Sequence, residues 1–157
     1  MVSVAAGGRL AFRRARGEEA EEIMKLIAST FAGEQGIPHE MLAIPDEQRP
    51  RWWCALLNGK VVGTVAGYYD GADFHMGRFA VDPSLRVHKI GRKLVEYAFT
   101  DAFASGIERV DMECRDVTVR ILLEMGAQIS GESFEFYGAR ATPMVMHRRD
   151  YRVAQDF

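Results

Sequence analysis

What this chain of 157 residues has little of narrows the field first. Its two cysteines, Cys54 and Cys114, lie far apart and outside any Cys-x-x-Cys or Cys/His spacing, which excludes a disulfide framework and a structural zinc site. Charge of one sign is also lacking. With 20 Lys and Arg against 22 Asp and Glu the formal net charge is −2, so no global basic field points to nonspecific nucleic-acid binding. No apolar run approaches the roughly 18 to 20 residues that span a bilayer, and the first ten residues lack the charged and apolar regions of a secretory signal. Repeats, low-complexity tracts and linkers are absent. The expectation is a soluble, cytoplasmic, single domain over 10–157 behind a flexible N-terminus at 1–9, with no metal and no nucleic-acid or membrane partner.

What is there is an ordered alternation of short apolar patterns. Leu10 to Ala15 reads as a strand, and after Gly17 a helix runs through about Phe31 with Ala20, Ile23, Met24, Ile27 and Phe31 on one stripe. Gly33, Gly36, Pro38, Pro45 and Pro50 then break any continuous element, leaving room for a short helix around His39 to Ala43. Loops of that length in compact domains are usually functional or disordered. Arg51 to Leu57 and Lys60 to Tyr69 flank Asn58-Gly59, the dipeptide of a type I′ hairpin. Asp73 to Val81 returns as a third antiparallel strand. A helix over 88–105 stops at Ser105-Gly106, and a strand from Ile107 to Glu113 follows; that crossover predicts one parallel pair. Asp116 is the expected N-cap of a helix through Met125 ended by Gly126, before strands at Gln128 to Phe136 and Thr142 to Arg149.

The densest signal lies where the strand ending Ala80-Val81-Asp82 breaks at Pro83 and restarts as a helix. N–H groups in a helix's first turn lack intrahelical partners and carry the positive end of the macrodipole, so such a junction holds phosphate. Arg86, His88, Lys89, Arg92 and Lys93 add side-chain charge there.

With its order of elements and the run from Phe79 to Leu94, the chain resembles the GNAT superfamily of N-acetyltransferases over about residues 10 to 150. The resemblance implies an α/β (α+β) mixed sheet, mostly antiparallel, of six to seven strands flanked by helices, with one parallel pair splayed at the cofactor site. The superfamily's pyrophosphate signature, Q/R-x-x-G-x-G/A, reads here Arg86-x-x-Lys89-x-Gly91, a lysine replacing the first glycine. Glycine in such loops lets backbone approach a phosphate and permits positive φ. Lys89 narrows that approach and offers an ammonium instead. The implied cosubstrate is acetyl-CoA, its pyrophosphate on Arg86, Val87, His88, Lys89, Ile90, Gly91 and Arg92. Its pantetheine arm would pair with the backbone of Phe79, Ala80 and Val81, where the splay leaves peptide groups free. An N–H there would stabilise the tetrahedral oxyanion.

The acceptor amine must lose a proton to attack. His75 is the candidate base, at a strand position where several members carry Glu or His, and alternation puts His75, Gly77, Phe79 and Val81 on one face. A free imidazole titrates near about 6.5. Glu113 is a rival base; beside it Cys114, with no recognisable His, Asn or Asp partner, reads as a packed thiol rather than a nucleophile. The tyrosine that commonly protonates the leaving thiolate is replaced by Leu122, and Arg115 and Ala127 stand at the usual Asn and Phe positions, so no general acid is named.

The resemblance also places the acceptor, a small amine-bearing compound, between 31–50 and 134–142. Glu34-Gln35-Gly36-Ile37-Pro38-His39-Glu40 is similar to a short motif in one group of the superfamily. Glu34 and Glu40, with Asp46 and Glu47 and no intervening Lys or Arg, would attract a cationic amine. Phe134, with Trp52, Trp53, Phe136 and Tyr137, supplies aromatic contacts, although Trp52 and Trp53 must face opposite sides of their strand. The readings carried forward are an acetyl-CoA-dependent N-acetyltransferase and a catalytically silent acyl-CoA-binding or sensing protein, either able to form a homodimer through its last strands.

Overall fold

The computed structural model of the chain describes residues 2–4, 8–38 and 41–153. Nine strands are found: β1 (Val2–Val4), β2 (Gly8–Arg14), β3 (Arg51–Leu57), β4 (Lys60–Asp70), β5 (Asp73–Val81), β6 (Arg109–Cys114), β7 (Gln128–Ile129), β8 (Phe134–Phe136) and β9 (Ala139–His147). They pair in the order β1-β2-β3-β4-β5-β6-β9-β7, with β8 on β9. Each pairing is antiparallel except β5 with β6, which is parallel as the crossover requires. The count exceeds six to seven for two reasons. Part of the N-terminus expected to be loose is a strand, Val2–Val4, laid against Gly8–Leu10. The expected strand at 128–136 is two strands parted by a bend.

Among the described residues three α-helices cover the sheet: α1 (Ala20–Ile27), α2 (Ile90–Ala104) and α3 (Asp116–Glu124). Because β3 is buried on both faces its sequence is continuously apolar from Trp52 to Leu57. Trp53 and Ala55 join the core with Leu94, Ala98, Phe99 and Leu122 from α2 and α3, whereas Cys54 and Leu56 join Ile23 and Ile27 from α1. Trp52 packs on that second cluster, so the two tryptophans do face opposite ways. Among the described residues no helix is long and apolar enough to cross a membrane.

Local details depart from the sequence reading. The first helix is α only to Ile27; residues Ala28–Glu34 widen into a π-helix, with the Gln35 N–H on the Thr30 carbonyl at 3.2 Å, and Phe31 stays half-buried against the α1 cluster. His39 and Glu40 lie outside the described residues; the short helix described in this loop is at Asp46–Gln48. Arg115, not Asp116, caps α3. Asp116 is the first helical residue, and Arg140 takes both its carboxylate oxygens at 3.0 Å. Gly126 ends the helix at φ +105°, where a Cβ would lie 2.0 Å from the Asp150 carbonyl oxygen. The Asn58-Gly59 turn has positive φ at both residues, 53° and 82°, as a type I′ turn demands.

Candidate active site

The strand that carries most candidate residues is bulged. Along β4 and β5 Ala66 faces Gly77 and Thr64 faces Ala80, so Arg78 and Phe79 together oppose Val65. Arg78 absorbs the extra residue in the left-handed region, at φ 56°. A bulge reverses alternation. His75 and Gly77 therefore point to the α1 face, but Phe79 and Val81 lie on the α2 face with Phe74 and Met76, and the four do not share one face as expected.

Just beyond His75 the sheet opens. Among the described residues β5 and β6 pair at His75↔Asp111 alone, and past that point the β6 side of Phe79, Ala80 and Val81 is unpaired with strand. The splay expected from the sequence is present, at the expected residues. Peptide groups on such an edge are a template for an extended amide-bearing chain.

At the end of β5 the chain enters a tight turn closed by Asp82 and Ser84. The Asp82 carboxylate accepts from the Ser84 hydroxyl at 2.7 Å and the Ser84 N–H at 3.0 Å, and these bonds hold Asp82 below the usual carboxylate range. A short 3-10 helix, Pro83–His88, leads to Lys89, which is exposed and left-handed at φ 57°, ψ 22°. The lysine thus adopts the backbone conformation for which a glycine is ordinarily used. Arg86 is braced at the groove by its Nε on the Val81 carbonyl, 3.2 Å. Arg92 pairs with Glu124 across to α3. Gly91 lies in the first turn of α2 against Phe79, and Ile90 is fully buried beneath it. Only the backbone of Val87 and His88 is described.

On the α1 face, His75 stacks on Tyr68 of β4, ring centroids 5.7 Å apart and planes 13° from parallel. The Tyr68 hydroxyl reaches over Gly77: a Cβ there would lie 3.6 Å from it. The Arg78 guanidinium sits 5.8 Å from the centre of the Tyr68 ring. Burial raises the Tyr68 phenol; Arg78 opposes this, while Glu113 and Asp70 act with burial. Glu113 is exposed on the α1 face of β6, since Val110, Met112 and Cys114 fill the opposite face. The structure thus brings both candidate bases, His75 and Glu113, to the mouth of the splay. Cys114 is packed in the core, and burial pushes its thiol up to about 12, so it is no nucleophile at neutral pH. Leu122 is buried in the same core.

The loop after α1 and the last hairpin do meet: Arg115 and Tyr137 tie them to each other, and Arg78 ties the loop to β5. Arg115 donates to the carbonyls of Phe136 and Ala139, both at 2.8 Å, and to Gln35 Oε1 at 3.3 and 3.4 Å, with its guanidinium 5.6 Å from the Phe136 ring centre. Arg78 donates to the carbonyls of Leu42 at 3.0 Å and Met41 at 3.2 Å. The Tyr137 hydroxyl lies 3.1 Å from Met41 Sδ. Of the expected acceptor residues, Phe134 is exposed on β8 and Phe136 is the aromatic packed inward. Glu40 lies outside the described residues, and of Glu34 only the backbone is described. A separate cavity of about 460 Å³ is lined by Arg14, Arg16, Arg49 and Arg51 above Met24 and Trp52; of the aromatic residues expected around the acceptor it holds Trp52.

Tyr68, Arg78 and Arg115 were not assigned these places by the sequence reading. The signal for Tyr68 was present: a two-residue turn pairing Asp70 with Asp73 sets Tyr68 opposite His75. Nothing in the sequence marks a bulge at Arg78.

Residues 20–121 match the family model described as the acetyltransferase (GNAT) family. A comparison with curated proteins returned no match. Solved structures of the same fold include Escherichia coli ElaA, at TM-score 0.75 and 15% identity over 87% of this chain and 99% of that one. An acetyltransferase of the GNAT family from Streptococcus pneumoniae superposes at 0.74 with 17% identity, over 88% and 99%. An acyl-CoA N-acyltransferase from Pseudomonas aeruginosa does so at 0.73 with 14% identity, over 88% and 98%. These identities establish a shared fold.

Proposed function

Because the chain belongs to the acetyltransferase (GNAT) family, we propose that it transfers an acetyl group from acetyl-CoA to a primary amine of a small molecule, amino acid or peptide. The observation that carries this reading is the opening of β5 from β6 directly before an anion-ready turn. An acyl-CoA is bipolar: pyrophosphate at one end, thioester at the other, a flexible diamide between. The first-turn N–H groups of α2, with Arg86, Lys89 and Arg92, suit the pyrophosphate. The free edge at Phe79, Ala80 and Val81 suits the diamide, and delivers the thioester to the mouth of the splay. There an edge N–H stabilises the oxyanion and His75 takes the amine's proton. With Cys114 protonated and packed away, the amine attacks the thioester directly and no acyl-enzyme forms.

Two measurements test this. Acetyl-CoA and desulfo-CoA should raise the melting temperature, because a ligand that binds only the native state stabilises it. Thiol release from acetyl-CoA should then depend on an added amine. Stabilisation without thiol release from any amine would favour the silent, sensing alternative; no stabilisation at millimolar ligand would sink both. Replacing His75 by Ala should lower kcat far more than it changes the KM for acetyl-CoA.

A further inference from the structure

We propose that the Tyr68 hydroxyl is the proton donor to the leaving thiolate. This rests on the acyltransferase reading and fills the role that Leu122, buried in the core, cannot. Three observations place the hydroxyl. Tyr68 is directly opposite His75 in the β4–β5 register, and the stacked rings fix its direction. The hydroxyl lies over Gly77 of β5, within ordinary contact distance of where a Cβ would stand, 3.6 Å. Gly77 lies two residues past His75, where β5 and β6 make their single pairing among the described residues, so the hydroxyl stands at the apex of the splay on the face where the acceptor loops are tied.

The proton balance closes. The amine lone pair forms the new C–N bond and His75 accepts the nitrogen's proton. The C–S bond breaks with its electrons on sulfur, which takes the proton from Tyr68. The imidazolium left on His75 and the phenolate left on Tyr68 are then neutralised by one proton transfer through solvent, regenerating both groups. Arg78, bound to the Leu42 and Met41 carbonyls and lying over the Tyr68 ring, stabilises the transient phenolate. The other charged groups acting on the phenol are the Glu113 and Asp70 carboxylates, which keep it protonated near neutral pH.

The test is steady-state kinetics of Tyr68→Phe, which keeps the ring and its stack. The expected result is a kcat lower by about a hundredfold, a KM for acetyl-CoA within twofold of the parent, an unchanged melting temperature, and loss of the alkaline fall in kcat that titration of this phenol predicts for the parent. An unchanged kcat, an effect confined to the KM of the amine, or an alkaline limb that survives the substitution would each overturn the role of Tyr68 while leaving the acyltransferase reading intact. A parent protein that binds acetyl-CoA but releases no thiol with any amine would remove both. A variant with a depressed melting temperature is replaced by Tyr68→Leu, which keeps an apolar side chain in the place of the ring, has no proton to donate and must show the same split.

Discussion

Gly91 lies directly beneath the ring of Phe79: a Cβ at position 91 would come within 2.7 Å of Phe79 Cζ and 3.4 Å of Val81 Cγ2. The first turn of α2 can approach the open end of β5 only because that side chain is absent. Gly91→Ala should push the ring or the helix aside, at a cost of about 1 to 3 kcal/mol from overpacking. The turn and the free strand edge would then lose their relative placement. Thermal unfolding with and without acetyl-CoA checks both effects, and a variant as stable and as strongly shifted by ligand as the parent would refute this.

Lys89 holds a left-handed conformation without being glycine. For an L-residue this costs roughly 1 to 2 kcal/mol, partly offset in any glycine replacement by the extra freedom of the unfolded chain. Lys89→Gly should therefore change stability by no more than about 1 kcal/mol, while Lys89→Val, β-branched at positive φ, should be clearly destabilising. If the ammonium contributes to pyrophosphate binding, Lys89→Gly will also weaken acetyl-CoA binding, more so at low salt. Denaturant unfolding and ligand titration of the two variants separate backbone from charge.

The strands and helices around the site were legible because their signals are local. Asn58-Gly59 sets one hairpin, Asp70-Gly71 the next, and Pro83 marks the junction before α2. Single extra residues were not legible. The bulge at Arg78 moves Phe79 and Val81 to the other face, and the π-helix after Ile27 alters the approach to the acceptor loop; both are settled by packing across the sheet rather than by nearby sequence. Arg115 reads as a mere departure from a motif until Gln35, Phe136 and Ala139, far from it in sequence, converge on its guanidinium.

Glu19 gives a pH prediction with a definite sign. Its buried carboxylate accepts from Arg13 at 2.5 Å and from the Arg16 N–H at 2.8 Å, and these bonds lower it to about 2. The folded value lies below the unfolded one, so the stabilisation is complete above the ordinary carboxylate range and fades as pH falls toward 2. Glu19→Gln should cost roughly 1 to 2 kcal/mol at neutral pH. That difference should shrink when urea unfolding is repeated at about pH 3. A gap that stays constant across that range would show that the pair does not carry the stability.

Cys114 and Cys54 are the chain's two thiols, both buried, and burial pushes them up to about 12 and about 11. At neutral pH a thiol so raised is almost wholly protonated, and alkylating reagents need the thiolate and access to it. Neither cysteine should react with iodoacetamide in the folded protein, and both should react once it is denatured, as mass spectrometry of the alkylated chain would show. Cys114→Ala removes a sulfur from the core and should cost about 1 kcal/mol or somewhat more, yet amine-dependent thiol release should persist in the folded variant. An acetylated Cys114 trapped during turnover, or a stable Cys114→Ala protein that binds acetyl-CoA without releasing thiol, would instead require a covalent route that the packing of this side chain opposes.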